Sequence, residues 1–209
     1  MSAQLISSLV VGYLLGSIPF TQIVAKMVRG VDLREVGSRN VGGRNVFYSV
    51  GRGWGILAGL LDFFKGIAAL YAAQALGAAY PTYLWAGLGA VAGHNFPVWL
   101  RFRGGKGLAV IFGLGLTLAF PEMAFSMLIG AILLWATKNI SIASLIGYAI
   151  LIATLIYRDR PVEILWLMLG NLGVMVAATL PGAFGILRSP GGMRRYLKNP
   201  NEAYQEKRN

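Results

Sequence analysis

The sequence contains no cysteine and one histidine, His94. The missing thiols exclude disulfides, thiol catalysis and cysteine-ligated metals, and with a lone histidine they argue against any metal site; no cofactor is expected. Acidic residues are also scarce, eight against nineteen Lys and Arg, for a formal net charge of +11. Charged residues make up only 13% of the 209 positions and hydrophobic ones 56%, far from the quarter-charged norm of soluble domains. Mean hydropathy is +0.61. This is the composition of a polytopic membrane protein. In a soluble chain such a positive charge would suggest nucleic acid. Here the basic residues lie between apolar runs, so the lipid bilayer and membrane topology account for them and no nucleic-acid partner is expected.

What is present is a series of apolar runs. Residues 5–28 are apolar apart from Ser, Thr, Gln and Lys26, with Gly12 and Gly16 at the spacing that lets helices approach closely. This run reads as a first span and not as a cleaved signal, which would have a charged start and a shorter apolar core. Further runs cover residues 54–76, 81–100, 108–120, 121–137, 141–157 and 161–187. The run at 108–120 is short for a solo span, which predicts a thin, tilted or partly re-entrant helix. Asp62 and Lys65 fall inside the second run, three apart on a helix, where they can face one side and neutralise each other. The predicted fold is therefore all-α, with seven transmembrane helices in one domain over residues 1–188 and a polar tail over 189–209.

The basic residues also predict an orientation. With seven spans, sixteen of the nineteen Lys and Arg flank one side, Arg158 and Arg160 flank the other, and Lys65 lies within a span. The positive-inside rule then puts the N-terminus outside and the C-terminus and tail in the cytoplasm. The loop at 28–53 and the turn at 93–107 share that cytoplasmic face.

The turn reads GHNFPVWLRFRGGKG. Pro97 ends the preceding apolar run, and Gly104, Gly105 and Gly107 let the backbone approach closely on either side of Lys106. Glycine amides, a helix starting after Gly107 and three nearby cations suggest an anion site. It is not a P-loop, because Gly107 stands where Ser or Thr is needed and Leu100 where the first glycine belongs. The loop reads VRGVDLREVGSRNVGGRNVFYSVGRG. Val41, Val46, Phe47 and Tyr48 give it an apolar side that can dock on the bundle, and Ser38, Asn40, Asn45, Arg39 and Arg44 are groups suited to a phosphorylated polyol.

These blocks together resemble a known family. Gly16-Ser17-Ile18-Pro19-Phe20, Gly37-Ser38 with Asn40, Gly42 and Asn45, Asp62 with Lys65-Gly66, Gly93-His94-Asn95-Phe96-Pro97, Gly104-Gly105-Lys106-Gly107 and Ser141-Ile142-Ala143-Ser144 are similar in order and spacing to the bacterial acyl-phosphate-dependent glycerol-3-phosphate acyltransferases. The resemblance runs to about residue 188. It implies a multi-pass enzyme of the bacterial inner membrane, with its site facing the cytoplasm, that moves an acyl group from acyl phosphate to the 1-hydroxyl of glycerol 3-phosphate. It implies no metal and no obligate protein partner. Catalytic roles then fall to Ser38, His94 and Lys106. Substrate contacts fall to Gly37, Asn40, Gly42, Arg44, Asn45, Asn95, Gly104, Gly105, Gly107, Ser141 and Ser144. Lys106 and Arg44 are expected to hold a phosphate. His94 is a candidate general base, since imidazole ordinarily titrates near about 6.5, and the substrate phosphate itself is the other candidate.

The chain also departs from the family pattern. Where the family usually reads Gly-Ala-Thr-Asn with an Arg three positions later, this chain has Gly42-Gly43-Arg44-Asn45 and Tyr48. Where a tail His and Asn are usual, it has Ser189 and Gly192. A changed acceptor or a lapsed activity is therefore an alternative. A small transporter is another, although the spans show no two-fold internal repeat.

Overall fold

The computed structural model describes residues 3–187, all of whose regular elements are helical. The expected polar tail, with Ser189 and Gly192, lies outside the described residues. In chain order the helices are α1 (Ala3–Ser17), α2 (Phe20–Arg29), α3 (Gly43–Ser49), α4 (Arg52–Ala75), α5 (Leu84–Asn95), α6 (Leu108–Leu118), α7 (Phe120–Thr137), α8 (Ile140–Tyr157) and α9 (Val162–Leu187), with a 3-10 turn over Val98–Leu100.

Each helix begins and ends where local chemistry dictates. The expected first span is broken at Ile18 and Pro19, because proline has no N–H for the helix ladder. Lys65 Nζ reaches from α4 to donate to the Ile18 carbonyl at 2.9 Å. Gly30 closes α2 in the left-handed conformation, at φ 67°. The Asn139 side chain caps α8 by accepting from the N–H groups of Ser141 and Ile142.

Five segments are long and apolar enough to cross a membrane: Ala3–Arg29, Arg52–Ala75, Phe120–Thr137, Ile140–Tyr157 and Val162–Leu180. The other two expected spans correspond to α5 and α6, of 12 and 11 residues. These rise about 18 and 17 Å, short of a hydrocarbon core of about 30 Å.

Glycine sets the packing of the centre. A Cβ at Gly12 would lie 2.1 Å from the Ala86 carbonyl oxygen, and one at Gly93 would lie 2.3 Å from that of Tyr13, so α1 and α5 touch backbone to backbone. The main apolar core is buried around α4, α5 and α6 and continues into α8 and α9 through Leu151, Leu155 and Met168. A second cluster lies under the first loop, formed by Ala25, Leu33, Val41, Val46, Val50, Ala58 and Leu100. Each large side chain there contributes about 1.5–3 kcal/mol by leaving water, which is what holds the loop down. Val41 and Val46 dock as expected, whereas Tyr48 is 72% exposed.

Hydrogen bonds sort the segments to the two ends of the bundle. At one end Gln4 donates to the Gly77 carbonyl, the Tyr80 hydroxyl to Glu163, and Arg160 to Glu122. At the other, Arg34 donates to the Leu100 carbonyl and so joins the first loop to the central turn.

Candidate active site

The first loop is organised around Asn45, a residue 3% exposed on α3. Its amide nitrogen donates to the carbonyls of Leu33, Val36 and Asn40 at 3.0–3.1 Å. Its oxygen accepts from the Ser38 backbone N–H at 3.2 Å and the Ser49 hydroxyl at 3.1 Å. Asn45, read from the sequence as a substrate contact, thus spends its amide group on shaping the loop. Gly37 is required beside it: at φ 54° a Cβ would lie 2.2 Å from the Asn45 oxygen. Gln22 on α2 clamps the near side of the loop, accepting from the Leu33 N–H at 3.0 Å and donating to the Val31 carbonyl. The sequence offered one signal for that clamp, an amide within an apolar span.

The central turn folds back on the end of α5. The N–H groups of Gly104 and Gly105 donate to the carbonyls of Asn95 and His94, both at 3.1 Å. The sequence suggests that these two amides are free for an anion, and the structure corrects this: they satisfy the orphan carbonyls that Pro97 leaves at the helix end. The first turn of α6, which begins after Gly107 at φ 78°, has backbone N–H groups that the helix itself does not use. Gly105 is the point of closest approach. A Cβ there would lie 2.1 Å from His94 Nε2 and 2.5 Å from the Val41 carbonyl oxygen, so the loop, α5 and the turn meet at one glycine.

Charge is concentrated around that meeting point. Lys106 is half-buried. Burial, and secondarily the nearby Arg44 guanidinium, holds its ammonium below the usual lysine pKa. Arg44, half-buried on α3, has its guanidinium carbon 5.6 Å from the centre of the Tyr48 ring. Ser38, Asn40 and Gly42 belong to the same loop, and the Gly42 N–H donates to the Asn40 carbonyl at 3.0 Å.

Beneath Gly105 lies a set of buried ionisable groups. Asp62 Oδ1 is 2.9 Å from Lys65 Nζ and 3.7 Å from His94 Nδ1. The three residues are 1%, 5% and 7% exposed. The Asp62–Lys65 contact is one of charge, since Oδ1 has no aligned hydrogen-bond donor. The pairing expected three apart on a helix is present, but its links to His94 and to the break after α1 were not visible in the sequence. A narrow crevice beside them is lined by Ser17, Thr21, Val41, Lys65 and His94 among others. Asn95 turns the other way, donating to the Val174 carbonyl of α9 at 3.4 Å.

The structure therefore brings the loop residues Gly37, Ser38, Asn40, Gly42, Arg44 and Asn45 together with His94, Asn95, Gly104, Gly105, Lys106 and Gly107. Ser141 and Ser144 lie near the start of α8, which packs on α7 and α9. Two half-buried cations beside a helix N-terminus have the charge an anion would need, and the hydroxyl and amide groups of the adjoining loop are of the kind that suits a polyol attached to it.

Comparison with known proteins gives a consistent set of relatives. The family model described as glycerol-3-phosphate acyltransferase matches residues 6–197. A glycerol-3-phosphate acyltransferase of Shouchella clausii is 36% identical over 197 residues, covering 86% of this chain and 96% of that one. One from Aquifex aeolicus is 40% identical over 157 residues, covering 74% and 81%. The crystal structure of PlsY, an integral membrane glycerol 3-phosphate acyltransferase, in its glycerol 3-phosphate form superposes with a TM-score of 0.78 at 32% identity, covering 88% of this chain and 92% of that one. Its lysophosphatidic acid form gives 0.74 at 29% identity, covering 88% and 91%.

Proposed function

The chain belongs to the glycerol-3-phosphate acyltransferase family, and from that premise we propose how this integral membrane enzyme acylates glycerol 3-phosphate to lysophosphatidate. The donor is an acyl phosphate. The acceptor 1-hydroxyl attacks the acyl carbonyl, the tetrahedral intermediate collapses, and inorganic phosphate leaves with the electron pair of the broken C–O bond. An acyl phosphate is a mixed anhydride with a good leaving group, so the protein has to supply position and charge neutralisation more than a strong nucleophile.

What carries this reading is the approach of Lys106 and Arg44 beside the α6 N-terminus, two half-buried cations close enough for one phosphate to contact both. Ser38 and Asn40 orient the glycerol backbone, and the glycines at 37, 42, 104, 105 and 107 shape the cradle. His94 sits under Gly105 with Nδ1 towards Asp62. That placement favours its serving as a support for the turn, with the proton of the acceptor hydroxyl passing to substrate phosphate. The altered loop supports retention of the acceptor: Arg44 packs on Tyr48, the position where the family usually has arginine, and restores a cation beside Lys106.

The same reading has seven passes, with α5 and α6 as the short ones, the N-terminus outside, and the first loop and central turn at the cytoplasmic face of the bacterial inner membrane. Single cysteines are clean probes in a chain that has none. Impermeant thiol reagent on intact cells should label Asp159→Cys and miss Arg39→Cys, and labelling at 39 from outside would reverse the orientation. For the donor, purified enzyme given labelled glycerol 3-phosphate should form lysophosphatidate with acyl phosphate and not with acyl-CoA or acyl carrier protein. Equal product from acyl-CoA overturns the donor assignment, and none from any donor favours a lapsed enzyme.

A further inference from the structure

The turn that carries Lys106 has a second, outward side. Val98, Trp99 and Phe102 are 45%, 65% and 61% exposed, and Arg101 and Arg103 stand exposed among them. Arg101 and Phe102 both take positive φ, 54° and 60°, a conformation disfavoured for side chains with a Cβ. With that backbone Leu100 is buried in the cluster under the loop while its neighbours face outward. Between this turn and the first loop is a surface cleft of about 540 Å³, lined by Asp32, Arg34, Glu35, Trp99, Arg101 and Arg103.

The floor of the cleft is rigid and internally neutral. Arg34 donates from Nε to Asp32 Oδ1 at 2.9 Å and from Nη1 to the Leu100 carbonyl at 3.1 Å. The Arg34 guanidinium holds the Asp32 carboxyl below its usual value. Trp99 forms one wall and donates from its indole nitrogen to Ser17 Oγ at 3.1 Å. Ser17 ends the helix whose Ile6, Val10 and Leu14 are exposed apolar residues of the bundle wall. The cleft therefore borders the surface that lipid covers. With Asp32 and Arg34 cancelling, Arg101, Arg103 and Glu35 leave one net positive charge.

We propose that this cleft seats the phosphodiester headgroup of one monoanionic glycerophospholipid of the phosphatidylglycerol type. The two free arginines take the phosphate, which also balances the net charge of the cleft. Glu35 accepts from the headgroup hydroxyls. Trp99 and Phe102 lie at the depth of the glycerol backbone, where aromatic rings settle at membrane interfaces. The site is distinct from the Lys106 seat, since neither Lys106 nor Arg44 lines the cleft. It rests on this end of the bundle lying at a membrane surface, and it stands whichever acyl donor the enzyme uses.

The test is native mass spectrometry of the delipidated, detergent-solubilised full chain, titrated in parallel with dioleoyl phosphatidylglycerol, phosphatidylethanolamine and phosphatidylcholine. The wild type is expected to retain one phosphatidylglycerol at concentrations about tenfold below those needed for either of the other two. Arg101→Gln with Arg103→Gln should abolish that preference while keeping the wild-type melting temperature and the wild-type kcat/KM measured without added lipid. A readout that does not need that variant is quenching by brominated phosphatidylglycerol, taken as the difference between wild type and Trp99→Phe to isolate Trp99. The difference should saturate at the same lipid concentration. Equal retention of all three lipids, an unchanged preference in the double variant, or no Trp99 difference overturns the proposal. Displacement of phosphatidylglycerol by millimolar inorganic phosphate also overturns it, because the site would then take a free anion.

Discussion

The two ends of the bundle handle charge in opposite ways. At the end that gathers residues 76–83 and 157–163, the charges find partners within the chain. The Glu122 side chain is fully buried at the start of α7 and meets Arg158 at 2.9 Å and Arg160 at 2.8 Å, and Glu163 accepts from the Tyr80 hydroxyl. At the other end Lys106 and Arg44 face each other with like charge, half-buried, next to a helix N-terminus that also favours anions. The first arrangement is complete as it stands. The second brings two cations together, as the proposed phosphate seat requires, and that difference is what separates a fastening from a proposed site.

The largest way to break this comparison is at Lys106. Lys106→Ala should cost about 2–4 kcal/mol of transition-state stabilisation, roughly thirty-fold to a thousand-fold in kcat/KM, with an unchanged melting temperature. Lys106→Arg should recover part of it, since a planar fork does not replace a compact ammonium in a tight cradle. Near-normal turnover in the alanine variant, or a loss that tracks a lower melting temperature, would move the site to the loop around Ser38 and Arg44.

The same residue gives a pH signature. Because burial and Arg44 hold its pKa below the ordinary lysine value of about 10.4, kcat/KM should fall with rising pH before an ordinary lysine would titrate. In Lys106→Arg that fall should move to higher pH. The sign for stability is the reverse: a lysine with a lowered folded pKa costs stability while charged, and the cost fades as pH rises through that pKa.

At the other end, Glu122→Gln should cost about 1–3 kcal/mol of folding stability, discounted because both arginines reach water. It should leave kcat/KM per folded molecule unchanged, so thermal unfolding and activity assays report opposite patterns for Glu122 and Lys106. The smallest effect is expected at Arg101. Arg101→Ala should lose less than about 1 kcal/mol in kcat/KM in lipid-free detergent, since that side chain is exposed and lines the separate cleft.

The sequence made the helices legible because membrane spans are long apolar runs, and here Pro, Gly and charged residues punctuate them. It made the Asp62–Lys65 pair legible because spacing along one helix fixes it. Long-range partners were not legible. The Gly104 and Gly105 amides looked free until α5 was seen to supply carbonyls for both. Asn45 looked like a ligand group until the loop folded around it. The break at Pro19 was not read from the chain, where residues 5–28 make one span, and its rescue by Lys65 depends on two helices meeting in space.

The shortness of α5 and α6 has a consequence for how the enzyme meets its substrates. Helices of 12 and 11 residues flank the central turn, beside α4 with 24. Asp62, ten residues past the start of α4, lies against His94 at the end of α5, so at about 1.5 Å per residue the turn is recessed relative to the start of α4. With the acyl-phosphate donor proposed above, the amphiphilic donor would reach the cradle by diffusing within the plane of the bilayer, whereas the water-soluble acceptor would descend from bulk solution. The two concentrations that govern turnover therefore have different dimensions, one per area and one per volume. Diluting the donor with inert lipid at fixed total amount should slow the enzyme, while diluting the whole suspension with buffer at fixed acceptor concentration should leave the rate per enzyme nearly constant.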